Sequence, residues 1–150
     1  MGGIKEAVVR HVRDLTFVGK TETNHWTIMD ASHHGSIPGA NSPMELLLLA
    51  LGGCTGSDVA SILEKKRVVY QSLEIRVKGE RAATDPKVYT SIHVEYVLTG
   101  EKIPENEVKH AIDLSVTKYC SVSAMLGKTA KITHSHSIVR NGELAAKEGG

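Results

Sequence analysis

The apolar positions of this chain follow different periods in different stretches, and each period predicts an element. Residues 4–12, IKEAVVRHV, are rich in β-branched residues and roughly alternate, which predicts a strand. Residues 14–19, DLTFVG, predict a short second strand, and residues 25–30, HWTIMD, a third after a Thr23-Asn24 turn. Such short spacings suit an antiparallel meander. Residues 31–41, ASHHGSIPGAN, form a loop by their Gly, Pro, Ser and Asn content.

Residues 42–67, SPMELLLLALGGCTGSDVASILEKKR, break with that pattern. Ser42-Pro43-Met44-Glu45 has the form of a capping box: Ser at the N-cap, Pro at the first helical position, Glu at the third. The next residues are apolar on every side, so the helix is expected to be buried all round. Gly52, Gly53 and Gly56 each cost about 1 kcal/mol against Ala in a helix interior. Their presence predicts close backbone approach to another element, a second helix being the first choice. Beyond Asp58 the pattern turns amphipathic at Val59, Ile62 and Leu63, and Lys65, Lys66 and Arg67 suit the negative end of the helix dipole.

Residues 72–79, SLEIRVKG, alternate with Leu73, Ile75 and Val77 on one face and Glu74, Arg76 and Lys78 on the other. A Thr-Asp-Pro hairpin loop leads into a long strand over 88–98, with Val88, Thr90, Ile92, Val94, Tyr96 and Leu98 on one face. Pro104, Glu105 and Glu107 open a second helix. Its apolar stripe is Val108, Ala111, Ile112, Ser115, Val116 and Tyr119, and Cys120 comes directly after it. Residues 121–126 predict a short helix, 130–139 a last strand, and 141–150 a frayed polar tail. The order β-β-β-α-β-β-α-(α)-β is an α+β pattern dominated by antiparallel pairing.

The 150 residues suit one domain spanning 1–150. A formal charge of +1 gives no electrostatic case for nucleic acid or a membrane surface as partner. The opening MGGIKEAVVRHV carries charges where a secretory leader has its apolar core, and it lacks the Ser/Thr of a myristoylation site. The apolar run 46–51 is too short to span a bilayer. The expectation is a cytoplasmic protein. There the two cysteines, Cys54 and Cys120, are either unrelated buried thiols or a functional redox pair. Cys54 lies about three turns into its helix, where the dipole stabilises a thiolate little. Asp58, four residues on, shares its face and opposes ionisation unless a cation pairs with it.

Gly39-Ala40-Asn41-Ser42-Pro43 leading into a helix with Cys54, and Lys118-Tyr119-Cys120-Ser121-Val122 with a second Cys, resemble the OsmC/Ohr family. These are the osmotically inducible protein C and organic hydroperoxide resistance proteins, and the wording KYCSV and KITHS is most like the YhfA-type branch. The resemblance covers nearly the whole chain. It implies an OsmC-like fold, with antiparallel sheets around a long buried central helix in an intertwined homodimer. It also implies a thiol-dependent peroxidase for organic hydroperoxides. Cys54 would become a sulfenic acid and Cys120 would resolve it to a disulfide. An external dithiol, lipoyl groups in some members, would reduce that disulfide, and no bound organic cofactor is implied.

Two positions depart from the family pattern. Where the family has a Glu directly after the Pro, this chain has Met44, and Glu45 comes one residue later. Nine residues, about 900° of helix, separate Glu45 from Cys54, so Glu45 faces the opposite side and is better read as the cap. The family's activating Arg has no counterpart in a recognisable motif; Arg13, Arg67 and Arg81 are the candidates.

The remaining candidates carry less. His134 and His136 share a strand face and His33-His34 sit in the loop, but no Cys or carboxylate at ligand spacing completes a metal site. Arg76, Lys78, Arg81 and Lys87 read as a solvated basic face. Trp26 and Tyr119 read as packing residues, Tyr119 with the option of lining a substrate pocket beside Cys120. The leading reading is therefore a cysteine-based peroxidase acting through Cys54 and Cys120. The alternative is the same dimer holding an apolar small molecule near Cys54 without turnover, and a third is a metal protein using His134 and His136.

Overall fold

The structure, a computed structural model, describes residues 2–140, so the tail expected to fray lies outside the described residues. The chain divides into two compact units between Leu47 and Leu48.

In the first unit, β1 (Ala7–Arg13), β2 (Thr16–Thr21) and β3 (Thr27–Met29) form the expected antiparallel meander, in the order β1-β2-β3. Asp30 then anchors the loop after β3. Its carboxylate accepts from Gly39 N at 2.8 Å, Ala31 N at 2.9 Å and Thr16 Oγ1 at 3.1 Å. Those donors, the Gly39 N–H first, hold the carboxyl below the usual range for Asp. Trp26 was expected to pack; it is half exposed, with Lys20 Nζ 5.0 Å from its ring.

The long helix, α1 (Pro43–Lys65), starts at the capping box. Glu45 N donates to Ser42 Oγ at 3.2 Å, and Ser42 N donates back to Glu45 Oε2 at 2.7 Å. The Ser42 N–H also holds the Glu45 carboxyl below its usual range. The helix is not buried all round in one chain. Leu51, Thr55, Val59 and Leu63, four residues apart, are its buried residues, while Leu47 and Leu49 are exposed. An all-round apolar sequence gives no direction to its buried stripe; packing chooses it. By length and composition α1 also reaches what a membrane crossing takes, which the short run 46–51 concealed. Its buried stripe nevertheless packs as the core helix of its unit.

The second unit holds β4 (Ser72–Arg81), β5 (Tyr89–Thr99) and β6 (Lys131–Val139), in the order β4-β5-β6. β4 and β5 pair antiparallel, but β5 and β6 pair parallel, against the expectation of antiparallel sheets. The cause is the helical crossover between them: α2 (Glu105–Leu114), a π-helical turn (Ser115–Tyr119) and α3 (Ser121–Leu126) carry the chain back so that β6 runs alongside β5. Ile92, Val94, Tyr96 and Leu98 of β5 are buried with Val108 and Ala111 of α2.

The expected face of β5 fails at its start. Tyr89 is buried while Val88 and Thr90 are exposed, because pairing slips between Glu80↔Ser91 and Arg81↔Tyr89 and leaves Thr90 as an extra residue. Gly79 makes room for the result: a Cβ there would lie 2.6 Å from the Tyr89 ring. The close approach predicted for the α1 glycines is real at two positions, but the neighbour is a strand. A Cβ at Gly52 would meet Val77 at 3.3 Å and one at Gly56 would meet Ile75 at 3.1 Å, both on β4, whereas Gly53 has nothing within 4 Å.

Candidate active site: a dithiol beside a buried hydroxyl chain

Cys54 sits on α1 and is half-buried; Cys120 closes the crossover helix and is buried. Sixty-six positions apart in sequence, they are brought together. The two Sγ atoms and a carboxylate oxygen of Asp58 all lie within 4.8 Å of one another. Cys54 and Asp58 share a face because they are four residues apart on one helix. Cys120 is placed by the π-helical turn. Its N–H bonds to Ser115 O, five residues back, at 2.8 Å, and its backbone then turns extended (φ −71, ψ 99) to cap α3. Its sulfur accepts from Ser123 N at 3.4 Å.

A chain of hydroxyls runs beside the thiols. Tyr96 Oη and Thr55 Oγ1 are 2.6 Å apart, Thr55 Oγ1 and Ser115 Oγ 2.8 Å, and Ser115 Oγ donates to Asp58 Oδ2 at 2.9 Å. Thr55, Ser115 and Tyr96 are essentially inaccessible to solvent, so each hydroxyl satisfies a neighbour that water does not reach. Sequence reasoning weighed Asp58 and missed its partners. The signal was there: Thr55 and Ser115 are polar residues on otherwise apolar stripes of two helices. Asp58 is met by a hydroxyl rather than by the cation that its place beside Cys54 called for.

Burial sets the state of the second sulfur. Burial, partly offset by the Ser123 N–H and reinforced by Cys54 and Asp58, pushes the Cys120 thiol up to about 11. Burial also pushes the Tyr96 hydroxyl up, with the Thr55 hydrogen bond acting the other way. Of the Arg candidates, Arg13 belongs to the first unit and bears on Asp30, and Arg81 donates to Lys87 O at 2.7 Å. Arg67 lies two residues past the end of α1, whose last residue is about 16 Å along the helix axis from Cys54. Glu45 is engaged as the helix cap, as its position predicted.

The other candidates are accounted for separately. His136 Nε2 lies 3.0 Å from Glu105 Oε1, and His134 stacks on Tyr96 with ring centroids 6.2 Å apart. Burial, then His93, lowers the His134 pKa. Arg76 is paired with Glu74 and Glu95. Tyr119 is half exposed rather than packed, and with Asp58, Ile62, Lys65 and Leu114 it lines a cleft of about 340 Å³.

An α+β scaffold that holds two thiols from separate helical elements in reach of each other defines a dithiol protein. The sequence model described as OsmC-like protein matches residues 33–135, and the chain belongs to that family. It is 40% identical over 134 residues to Protein YhfA of Escherichia coli strain K12, covering 89% of this chain and 98% of that protein. A crystal structure of a hypothetical protein from Aquifex aeolicus VF5 is 33% identical, with a TM-score of 0.83 over 93% of this chain and 99% of that one. The organic hydroperoxide resistance protein OsmC from Legionella pneumophila shares the fold at 14% identity, with a TM-score of 0.69 over 90% of this chain and 97% of that one.

Proposed function

We propose that the chain is a thiol peroxidase that reduces organic hydroperoxides, with Cys54 as the attacking and Cys120 as the resolving cysteine. The observation that carries this reading is the convergence of the two sulfurs within 4.8 Å from separate elements. Family membership, and the name of the Legionella pneumophila protein that shares the fold, support the substrate class.

Exposure and charge assign the roles. Cys54 is the more accessible sulfur, while Cys120 is buried and held as a thiol up to about pH 11. The Cys54 thiolate attacks the terminal oxygen, the O–O bond breaks, and the alkoxide leaves as the alcohol with a proton. The resulting sulfenic acid is attacked by Cys120, which loses its proton as the S–S bond forms and water departs. Ile62, Leu114 and Tyr119 in the cleft beside Asp58 supply an apolar seat for the alkyl group. An external dithiol, lipoyl groups among the options, returns the pair to the reduced state. The protein acts as a cytoplasmic homodimer in which the exposed Leu49 and Gly53 side of α1 is covered.

Cumene hydroperoxide added to the reduced chain is expected to remove two hydrogens across the Cys54 and Cys120 peptides, seen by mass spectrometry under non-reducing conditions. Cys120→Ser is expected to stop at a Cys54 sulfenic acid that dimedone traps. If both thiols stay reduced with excess hydroperoxide, the reading is wrong.

A further inference from the structure

Among the described residues, Cys54, Asp58 and Cys120 form a cluster of three metal-ligating side chains, with donor atoms within 4.8 Å of one another. We propose that the reduced chain binds a zinc ion there through two thiolates and one carboxylate, with a fourth position open to water or a small ligand.

The donor set argues for zinc. Two sulfurs exclude hard cations such as magnesium and calcium, and one carboxylate completes a set familiar to a borderline-soft ion. Tetrahedral zinc with Zn–S near 2.3 Å sets its sulfurs about 3.8 Å apart. The cluster therefore has to close by no more than about 1 Å.

The scaffold around the donors is also that of a ligand set. Two of them are fixed by one turn of α1, and the third by backbone bonds on both sides of Cys120. Ser115 Oγ donates to Asp58 Oδ2 at 2.9 Å, and Thr55 and Tyr96 extend that support into the core. Ligating carboxylates commonly carry such outer partners, which fix their orientation. With both sulfurs ionised, the three groups bring a charge of −3 into a half-buried space, which a divalent cation offsets. Cys54 and Asp58 are half exposed, so an ion has a path to the donors.

Binding forms two Zn–S bonds and one Zn–O bond and sends two thiol protons to solvent. The same sulfur electron pairs cannot serve both zinc and a disulfide. When a hydroperoxide oxidises the pair, the two sulfurs give two electrons to the O–O bond. With two protons taken up, the products are the disulfide, the alcohol, water and free zinc. Only this release step rests on the peroxidase reading; zinc binding stands without it.

The test is titration of the reduced full-length chain with zinc chloride against a chromophoric chelator, with metal analysis after desalting. One zinc per chain is expected. Cys54→Ser and Cys120→Ser should each abolish tight binding. Asp58→Asn should weaken it by about 100-fold or more, and Ser115→Ala by about 10- to 100-fold. Cobalt(II) in place of zinc should give thiolate-to-cobalt absorption that is lost in both Ser variants. His134→Gln and His136→Gln should bind as the parent does. No retained zinc, zinc retained equally by both Cys variants, or zinc lost on changing the histidines would each overturn the site. If zinc binds as expected and cumene hydroperoxide fails to release it, the peroxidase reading falls and the zinc site remains.

Discussion

Two carboxylates on one helix, Glu45 and Asp58, carry opposite lessons. At the start of α1, Glu45 exchanges two hydrogen bonds with Ser42 and stays in contact with water. Thirteen residues on, Asp58 accepts a hydroxyl that belongs to a buried chain reaching Tyr96. The first arrangement is local and holds a helix end. The second joins α1, β5 and the π-helical turn beside both thiols. A local bond is written in neighbouring residues; a bond between elements exists only once the chain has folded.

Breaking the second arrangement should cost most. Thr55→Val strands the Tyr96 hydroxyl in a dry interior and leaves Ser115 with Asp58 alone, and is expected to lose about 2 kcal/mol in urea unfolding. It should also slow formation of the Cys54–Cys120 disulfide, because Asp58 loses the support behind Ser115. A Thr55→Val chain that unfolds like the parent would mean that the hydroxyl chain is not a coupling between elements.

The alkaline limb comes next. Cys120 is held as a thiol up to about 11 from an ordinary 9, so the fold favours the protonated form. That contribution is present below pH 9 and is lost as pH rises through 11. Stability measured between those values should fall less steeply in Cys120→Ala than in the parent. Equal slopes would place the sulfur in a wetter site than its burial implies.

Ser42→Ala tests the local arrangement. It should cost about 1 kcal/mol, leaving the rate of disulfide formation unchanged. A lost rate would make the cap part of the thiol chemistry and erase the distinction between the two carboxylates.

The smallest effect belongs to His134, whose pKa is lowered by burial. Its neutral form is favoured by the fold, so stability is present above the ordinary His range and is lost as pH falls through the lowered value. His134→Gln should flatten the acid limb of a pH–stability curve; an unchanged limb would assign acid loss to the carboxylates.

The same division explains what the sequence made legible. The capping box, the β4 alternation and the meander are local patterns, and the structure repeats them within one or two residues at most ends. The face of β5 was misread at Tyr89, because a bulge is a mismatch between two strands rather than a property of one. The parallel partnership of β6 was available from the helical crossover before it, which forbids a tight hairpin. The stripe that α1 buries was not available, since Leu46 to Leu51 are apolar in every direction and only the packing against β4 orients them. Cys54 and Cys120 were legible as a pair through the family resemblance. Asp58's hydroxyl partner was legible only in part: Thr55 and Ser115 stand out as polar positions on apolar stripes, but they lie sixty positions apart and nothing local marks them as neighbours.

The π-helical turn before Cys120 adds one residue to a helical ring. The second sulfur is therefore aimed by a count, not by any side chain. Substituting Val116, Thr117 or Lys118 leaves that count intact, whereas removing one of them would swing Cys120 by about 100° around the helix axis. For this segment, length is the constraint: a single-codon deletion between Ser115 and Cys120 would separate the thiols.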